Sequence, residues 1–248
     1  MIDSTAPVQH HDEIAERRRM AGRSITPLTE PGTLTNTQLQ DRATIYRTDR
    51  MQPEVDAFRE LRTRLLAVAE GNFITLVAPV SAGSGGSFVA RNLAAAFAFD
   101  TTKSALLVDC DLRHPSQHKT MRIEPVNGGL IDYLDDDETD IADVIYPTGV
   151  GRLSLLPTGS ARETGSEYFS SLRMRVLLDS LRGRQSGHYL VLDGPPVRGT
   201  PDARILADLA DVVVMVAGYG CDTPAAIAQA ASSFDPAKFA GVVFNEGV

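Results

Sequence analysis

From residue 53 onward, short apolar segments alternate with helix-like ones, and this alternation restricts the possible folds more than any other feature of the chain. The β-rich segments are FITLVAP (73–79), SALLVDCD (104–111), LSLLPTG (153–159), YLVLDGPP (189–196), DVVVMVAG (211–218) and FAGVVFNE (239–246). They are nearly continuous in apolar residues, which is typical of strands that are covered on both faces. The sequence therefore predicts an α/β fold with a doubly wound, mostly parallel sheet and helices on both faces.

The first 50 residues differ from the rest because they are polar, contain several prolines and lack sustained periodicity. This composition predicts a flexible N-terminal arm over 1–50 and a folded domain over 51–248. The first helix of that domain is predicted at 53–70. Its apolar face is formed by Val55, Phe58, Leu61, Leu65 and Val68.

The overall charge and the two cysteines exclude several classes of protein. A net charge of -8 argues against a general nucleic-acid binder. Cys110 and Cys221 are too few for a disulfide framework, so we expect both to be reduced. No apolar stretch approaches the roughly 18 to 20 residues of a membrane span, and the N-terminus has no apolar core of a secretory signal. We expect a cytoplasmic protein that reaches the inner face of the membrane only through a partner.

The segment PVSAGSGGSF (79–88) follows the first predicted strand, where a parallel sheet of this kind binds its ligands. A P-loop there uses glycine backbone N–H groups, a lysine and a hydroxyl, in the pattern G-x-x-x-x-G-K-[ST]. Gly85 and Ser87 fit this pattern, but Val80 and Gly86 replace its first glycine and its lysine. The same glycines are equally typical of an ordinary strand-to-helix turn. The candidate nucleotide-binding residues are Gly83, Ser84, Gly85, Gly86, Ser87 and Phe88.

Carboxylates stand at two further strand ends. Asp109 and Asp111 lie two residues apart in LLVDCDLRHP, ahead of Arg113, and Asp193 ends the strand YLVLD. Helix capping and a surface ion pair would explain one of the first two aspartates but not both. Paired carboxylates suit Mg²⁺ coordination or activation of a hydroxyl nucleophile. The candidate catalytic residues are therefore Asp109, Asp111 and Asp193, and the candidate Mg²⁺ ligands are Ser87, Asp109 and Asp193.

Residues 50–248 resemble the bacterial tyrosine kinases of capsule and exopolysaccharide synthesis, which are P-loop proteins related to the MinD and ParA ATPases. The segment ALLVDCDLRHPSQHK is similar to their Walker A′ pattern DxDxRxPxxH, and SFVARNLA to the helix after their Walker A loop. YLVLDGPPV is similar to their Walker B strand and its D-[ST]-P-P turn. The resemblance implies ATP or ADP with Mg²⁺ as cofactor. It also implies a membrane polysaccharide co-polymerase as partner, contacted at its cytoplasmic end.

The same resemblance implies a role for the helix predicted at 53–70. Members of the family carry an E-x-x-R-x-x-R motif there, which is used for subunit contacts in a ring. Asp56, Arg59 and Arg62 occupy those positions here, with a shorter acid in place of glutamate. The resemblance therefore implies self-association, whereas the residues alone are equally typical of the solvated face of an amphipathic helix.

The chain departs from the family pattern where the chemistry would occur. Gly86 replaces the Walker A lysine, and Gly194 replaces the hydroxyl residue after the Walker B aspartate. An ammonium about 4 Å from a phosphate charge contributes up to about 4 kcal/mol at an effective dielectric near 20. Losing half of this weakens binding about 30-fold, and phosphoryl transfer suffers more because charge develops in its transition state. Gly86→Lys is accordingly expected to tighten nucleotide binding, and Arg91 would replace the lysine only in an unusually folded loop.

Family members are also phosphorylated on a tyrosine-rich C-terminal tail. This sequence ends at FNEGV, without such a cluster, and its tyrosines are scattered. Most of them fall in predicted strands and helices, where packing is their expected role. Tyr46, in the predicted arm, is the candidate phosphorylation site.

Three functional hypotheses follow. The leading one is a pseudokinase, a catalytically degenerate P-loop protein that serves as a regulatory subunit of a polysaccharide co-polymerase. The second is an active ATP-dependent tyrosine autokinase or ATPase, favoured by the retained Asp109, Asp111 and Asp193. The third, a MinD/ParA-like positioning ATPase, is disfavoured because Ser81 stands where that group has an extra signature lysine.

Overall fold

The structure is a computed structural model that describes residues 33–47, 52–183 and 186–246. Within these residues the sheet has seven strands, which are β1 (Ile74–Pro79), β2 (Ser104–Asp109), β3 (Tyr146–Pro147), β4 (Leu153–Leu156), β5 (His188–Asp193), β6 (Val212–Gly218) and β7 (Phe239–Asn245). Their spatial order is β3-β4-β2-β5-β1-β6-β7, and every neighbouring pair is parallel except β3 with β4. The predicted α/β fold with a mostly parallel sheet is confirmed.

The helices of the described residues are α1 (Asn36–Gln40), α2 (Pro53–Val68), α3 (Gly86–Ala98), α4 (Gln117–Thr120), α5 (Leu130–Asp135), α6 (Ser166–Ser170), α7 (Leu172–Arg182), α8 (Asp202–Leu209) and α9 (Pro224–Ala231). The helical residues that follow Gly165 are divided into α6 and α7. Ser171 separates them because its backbone is extended and its hydroxyl caps α7 by accepting from Met174 N. The sequence did not predict α1, α4 or β3.

The sheet has an apolar core on each face. On one face α3 packs across β1, β2 and β5, and α2 packs on α3. Phe73, Phe97 and Tyr189 form a buried aromatic group in this core, in which the rings of Phe97 and Tyr189 are stacked at 4.5 Å. The core of the other face includes residues of α7 and α8. Because both faces are covered, the central strands are apolar at nearly every position, as their sequence predicted.

Residues 33–47, which we call the N-terminal strap, differ from the predicted flexible arm over 1–50. The strap contains α1, which Thr35 starts with a capping box, and it buries Leu39 and Ile45 against the domain. Ile45 N donates to Asn92 Oδ1 at 2.7 Å, which attaches the strap to α3. The ordered unit therefore includes this part of the predicted arm, whereas residues 1–32 and 48–51 lie outside the described residues.

Candidate functional site

The glycine-rich segment forms a loop between the end of β1 and the start of α3. Gly83 and Gly85 have φ angles of 86° and 89°, a left-handed conformation that favours glycine. The Ser84 hydroxyl lies 2.6 Å from Asp222 Oδ2, and Asp222 also accepts from Gly218 N at 2.9 Å. Asp222 follows β6, so it attaches the loop to the neighbouring strand. This strand–loop–helix arrangement is the one in which P-loops cradle phosphates.

Gly86 is the first residue of α3, and the ring of Pro79 occupies the space beside it. A Cβ atom at residue 86 would lie 2.6 Å from Pro79 Cδ and 2.8 Å from Pro79 Cγ. A lysine there requires the end of β1 to move. Gly86→Lys would therefore change the packing at the end of β1 as well as the charge, and its effect on nucleotide binding stays a prediction.

Two of the candidate carboxylates face each other inside the sheet. Asp109 and Asp193 end the adjacent parallel strands β2 and β5, are partners in the strand register, and are fully buried. Asp111, in contrast, lies in the loop beyond β2, is partly exposed, and accepts from His114 N at 3.1 Å. The predicted strand SALLVDCD thus ends two residues early, so Asp109 and Asp111 have different surroundings.

Burial dominates the electrostatics of this pair. Burial raises the pKa of Asp109, and the negative charge of Asp193 raises it further. Burial likewise raises the pKa of Asp193, against hydrogen bonds from the side chains of Gln117 and Ser87 that lower it. Two carboxylates this close cannot both ionise easily unless a cation is present. The pair is therefore suited to bind a cation.

Gln117 connects the carboxylates to the P-loop helix. Its backbone N–H donates to Asp109 Oδ2 at 3.0 Å. Its side-chain Nε2 donates to Asp193 Oδ2 at 2.6 Å and to Ser87 O at 2.9 Å. Arg91, one turn into α3, is 4% exposed and donates to Gln117 Oε1 at 3.1 Å. Gln117 therefore stands between the buried guanidinium of Arg91 and the carboxylate pair.

The residues present fit Mg²⁺. Asp109 Oδ1 and Asp193 Oδ1 are buried without a hydrogen-bond partner in the described part of the chain, and the Ser87 hydroxyl lies beside Asp193. Carboxylate and hydroxyl oxygens with several retained waters are the ligands that Mg²⁺ prefers. Residues 33–47, 52–183 and 186–246 contain no cluster of three or more His, Cys, Asp or Glu suited to a metal ion. A bound Mg²⁺ would thus depend on waters and phosphates for most of its coordination.

The fold brings the candidate nucleotide and metal residues to one edge of the sheet, but it does not bring the candidate oligomerisation residues there. Those residues lie on α2, where Asp56 and Arg59 form an exposed ion pair at 3.1 Å. Arg62 is half-buried, and its Nη1 donates to Ala96 O at 2.9 Å within the same chain. Self-association through this helix stays a prediction. Tyr46 lies in the strap, where its hydroxyl accepts from Gln40 Nε2 at 2.9 Å.

Several residues of the site were not predicted from the sequence. Gln117 stands inside the quoted A′ segment, but no spacing rule marks it. Arg91 was expected to replace the lysine only in an unusually folded loop. Asp222 does not belong to any of the motifs identified in the sequence. Asn245, at the end of β7, donates to Ser84 O at 3.3 Å and lies against Gly85. The position of Asn245 at a strand end was the available signal for it, since ligands of such sheets bind there.

Comparison with known proteins places the chain among kinases. No protein-family model matches it. It is 32% identical over 196 residues to the tyrosine-protein kinase wzc of Salmonella typhimurium, a match that covers 77% of this chain and 26% of that protein. The structure superposes on the BceF tyrosine kinase domain with a TM-score of 0.70 and 25% identity, covering 96% and 98% of the two chains. The Pyrococcus furiosus cell division ATPase MinD shares the fold, with a TM-score of 0.57, 19% identity and 70% of each chain covered.

Proposed function

The chain belongs to the bacterial tyrosine kinase family, and on that premise we propose that it is a kinase-like regulatory subunit of exopolysaccharide or capsule biosynthesis. In this proposal it binds ATP or ADP weakly and transfers phosphate poorly. The observation that carries the proposal is the packing of Pro79 against Gly86: the Walker A lysine is absent there, and the Pro79 ring fills the space that its Cβ would need.

The retained groups support nucleotide binding. The backbone N–H groups of residues 85–87, at the N-terminus of the 13-residue helix α3, favour an anion. Ser87 and Asp193 would hold Mg²⁺, with Asp109 beside them, and the metal when bound supplies positive charge to the phosphates. Asp109 in its ionised form would accept a proton from a hydroxyl. The γ-phosphoryl oxygens would still lack the lysine, and this loss affects the transition state more than the ground state.

The role in polysaccharide synthesis rests on the family and on the extent of the match. The chain spans about a quarter of the length of the first curated relatives that it matches, 26% in the case of wzc. The polysaccharide co-polymerase, contacted at its cytoplasmic end, is therefore a proposed partner. In the described part of the chain no helix is long and apolar enough to cross a bilayer. We propose a cytoplasmic location at the inner face of the membrane, held there by this partner.

Two other functions remain as alternatives. An active autokinase or ATPase is favoured by the unpartnered oxygens of Asp109 and Asp193, which suit a catalytic metal site. A positioning ATPase of the MinD kind is disfavoured because Ser81 stands at the place of that group's extra lysine.

Calorimetry with ADP in the presence of Mg²⁺ tests the nucleotide-binding part of the proposal. We expect binding that is weakened by about 30-fold or more relative to a P-loop with its lysine, since about half of the lysine's Coulombic contribution gives this factor. The competing outcome is binding as tight as in a lysine-containing family member measured alongside. That result would favour the active kinase.

A further inference from the structure

The side chain of Gln117 lies between the two groups proposed to hold Mg²⁺. Gln117 is fully buried, and its Nε2 is 2.6 Å from Asp193 Oδ2 and 2.9 Å from the backbone oxygen of Ser87. The contact with Asp193 joins a neutral donor to a carboxylate, and such charge-assisted hydrogen bonds are about twice as strong as neutral ones. The amide therefore already occupies one oxygen of the Walker B aspartate.

The orientation of this amide is set by Arg91. A guanidinium has only donors, and Arg91 Nη1 is 3.1 Å from Gln117 Oε1, so the amide oxygen faces Arg91 and the NH₂ group faces Asp193. The backbone N–H of Gln117 donates in addition to Asp109 Oδ2. Gln117 thus contacts both buried carboxylates, and Arg91 determines that the NH₂ end of its side-chain amide faces Asp193.

Arg91 is itself fixed from the other side by the N-terminal strap. Its Nε and Nη2 donate to Ala43 O at 3.2 Å and 3.1 Å, and its guanidinium lies 5.9 Å from the centre of the Phe88 ring. Burial lowers the pKa of Arg91 to about 10, and the charge of Asp193 partly offsets this effect. Arg91 is therefore charged at neutral pH and compensates part of the charge of the carboxylate pair.

We propose that Gln117, held by Arg91, is a gate on the metal position of this site. The amide occupies Asp193 Oδ2, so a metal ion at the unpartnered Oδ1 would contact only one oxygen of this carboxylate until the amide moves away. This inference rests on the proposed nucleotide-binding function and specifies its metal dependence: Mg²⁺ adds less to nucleotide affinity in the wild-type chain than in a variant without this amide. Gln117 is in this sense a positioning residue, since it acts on Asp193 and not on the phosphate.

Metal binding without nucleotide tests the gate directly. Mn²⁺ serves as the probe for the Mg²⁺ position, and its free concentration is measured by electron paramagnetic resonance with the full chain. Gln117→Leu keeps most of the buried volume but cannot donate to Asp193. We expect it to bind Mn²⁺ about tenfold or more tightly than the wild type, the factor that one competing hydrogen bond to a charged group accounts for. Equal Mn²⁺ affinity in the two proteins would overturn the proposal.

Thr158→Val is the matched control. Thr158 is also fully buried, and its hydroxyl donates at 2.8 Å to the backbone oxygen of Asp109, not to its carboxylate. We expect this variant to bind Mn²⁺ like the wild type, although it also loses a buried hydrogen bond next to the site. An equal gain in both variants would mean that general loosening, and not the gate, raises the affinity, and this too would overturn the proposal.

Two further readouts keep the test decisive. If Gln117→Leu does not fold, the side-chain amide resonance of Gln117 in wild-type protein replaces it: saturating Mg²⁺ should shift this resonance, and an unchanged resonance contradicts the gate. Calorimetry with ADP, with and without Mg²⁺, separates the two proposals. Absent ADP binding in every protein would contradict the proposed function while the Mn²⁺ result still decides the gate. ADP binding with the same Mg²⁺ enhancement in wild type and Gln117→Leu would contradict the gate alone.

Discussion

At the scale of single residues, Gly86 and Pro79 form one packing arrangement. The Pro79 ring lies beside residue 86, and its Cδ is 2.6 Å from the position that the Cβ of the usual lysine would take. Introducing volume into a closely packed site costs about 1 to 3 kcal/mol of stability. A lysine at residue 86 therefore fits only if Pro79 is replaced as well.

This arrangement predicts the outcome of restoring the lysine. Gly86→Lys alone should lower the free energy of unfolding by about 1 to 3 kcal/mol and leave ADP affinity nearly unchanged. Pro79→Ala with Gly86→Lys should recover most of that stability and tighten ADP binding by up to about 30-fold, because the ammonium then reaches the phosphates. Urea unfolding and calorimetry measure the two quantities, with Pro79→Ala as the control. Equal tightening by the single variant would show that Pro79 does not restrict residue 86.

The pH dependence of stability is a second prediction at this scale. Burial first, and then Asp193, raises the pKa of Asp109 from the ordinary carboxyl value to about 8. Between about pH 4 and pH 8 the folded chain keeps a proton that the unfolded chain has released. Rising pH therefore favours unfolding in this window, by up to about 1.4 kcal/mol per pH unit for one proton.

Asp109→Asn removes this titration, and its amide oxygen can still accept from Ser116 N and Gln117 N. Urea unfolding at pH 5 and pH 7.5 should give a clear loss of stability for the wild type and a smaller loss for the variant. Identical losses in the two proteins would show that Asp109 is not protonated in the folded state within this window.

At the scale of elements, the strap and α3 act together through Asn92. Asn92 is fully buried; its Oδ1 accepts from Ile45 N, and its Nδ2 donates to Ala43 O at 3.1 Å and to Phe88 O at 2.9 Å. One side chain therefore bridges the strap to the helix that follows the P-loop. Ala43 O is also the acceptor for Arg91, so docking of the strap and the position of Arg91 depend on the same carbonyl.

Removing this bridge should release the strap without unfolding the domain. Asn92→Ala leaves Ile45 N without its acceptor, which costs about 1 to 3 kcal/mol for a buried group. Hydrogen exchange at the Ile45 amide should then become at least about fivefold faster, since 1 kcal/mol is about a factor of five in the opening equilibrium. Gln38→Ala, which removes an exposed capping contact of α1, is the control and should leave Ile45 protected. Unchanged protection in Asn92→Ala would place the main anchor of the strap elsewhere.

The elements differ in how far the sequence predicts them, and the difference has a physical cause. The apolar strands and α2 were identifiable because buried periodicity determines them locally. The five residues of α1 and the four of α4 are too few for a recognisable periodicity, and their placement depends on contacts distant in sequence, such as Ile45 with Asn92 and Gln117 with Asp193. The carboxylates were predictable because polar groups at buried strand ends are rare. Gln117 was not, since its role depends on which side chains the folded chain places around it.

At the scale of the whole molecule, the chain has the fold of its tyrosine kinase relatives and carries Asp109 and Asp193, whereas a glycine stands at the position of the Walker A lysine. Buried Arg91 and the amide of Gln117 lie next to the carboxylates that remain. The net charge of -8 gives no general attraction to nucleic acids or anionic surfaces. We propose that a specific partner recruits the chain to a membrane complex, and family membership makes a polysaccharide co-polymerase the proposed partner.

Self-association through α2 is a prediction at this scale. Arg59→Glu should lower the sedimentation coefficient at micromolar concentration, because it reverses an exposed charge of the predicted contact motif. Arg64→Glu reverses a more exposed charge on the same helix, outside the motif, and should have no effect. A wild-type chain that sediments as a monomer at all concentrations would contradict the predicted contact.

Transfer of labelled phosphate tests the central claim most directly. The full chain is incubated with γ-labelled ATP and Mg²⁺ at a nucleotide concentration where calorimetry shows the site to be occupied, and phosphotyrosine is counted per protein molecule. We expect bound nucleotide with no phosphotyrosine above that of Asp109→Asn. Robust labelling of the wild type that disappears in Asp109→Asn would contradict it and identify an active tyrosine autokinase.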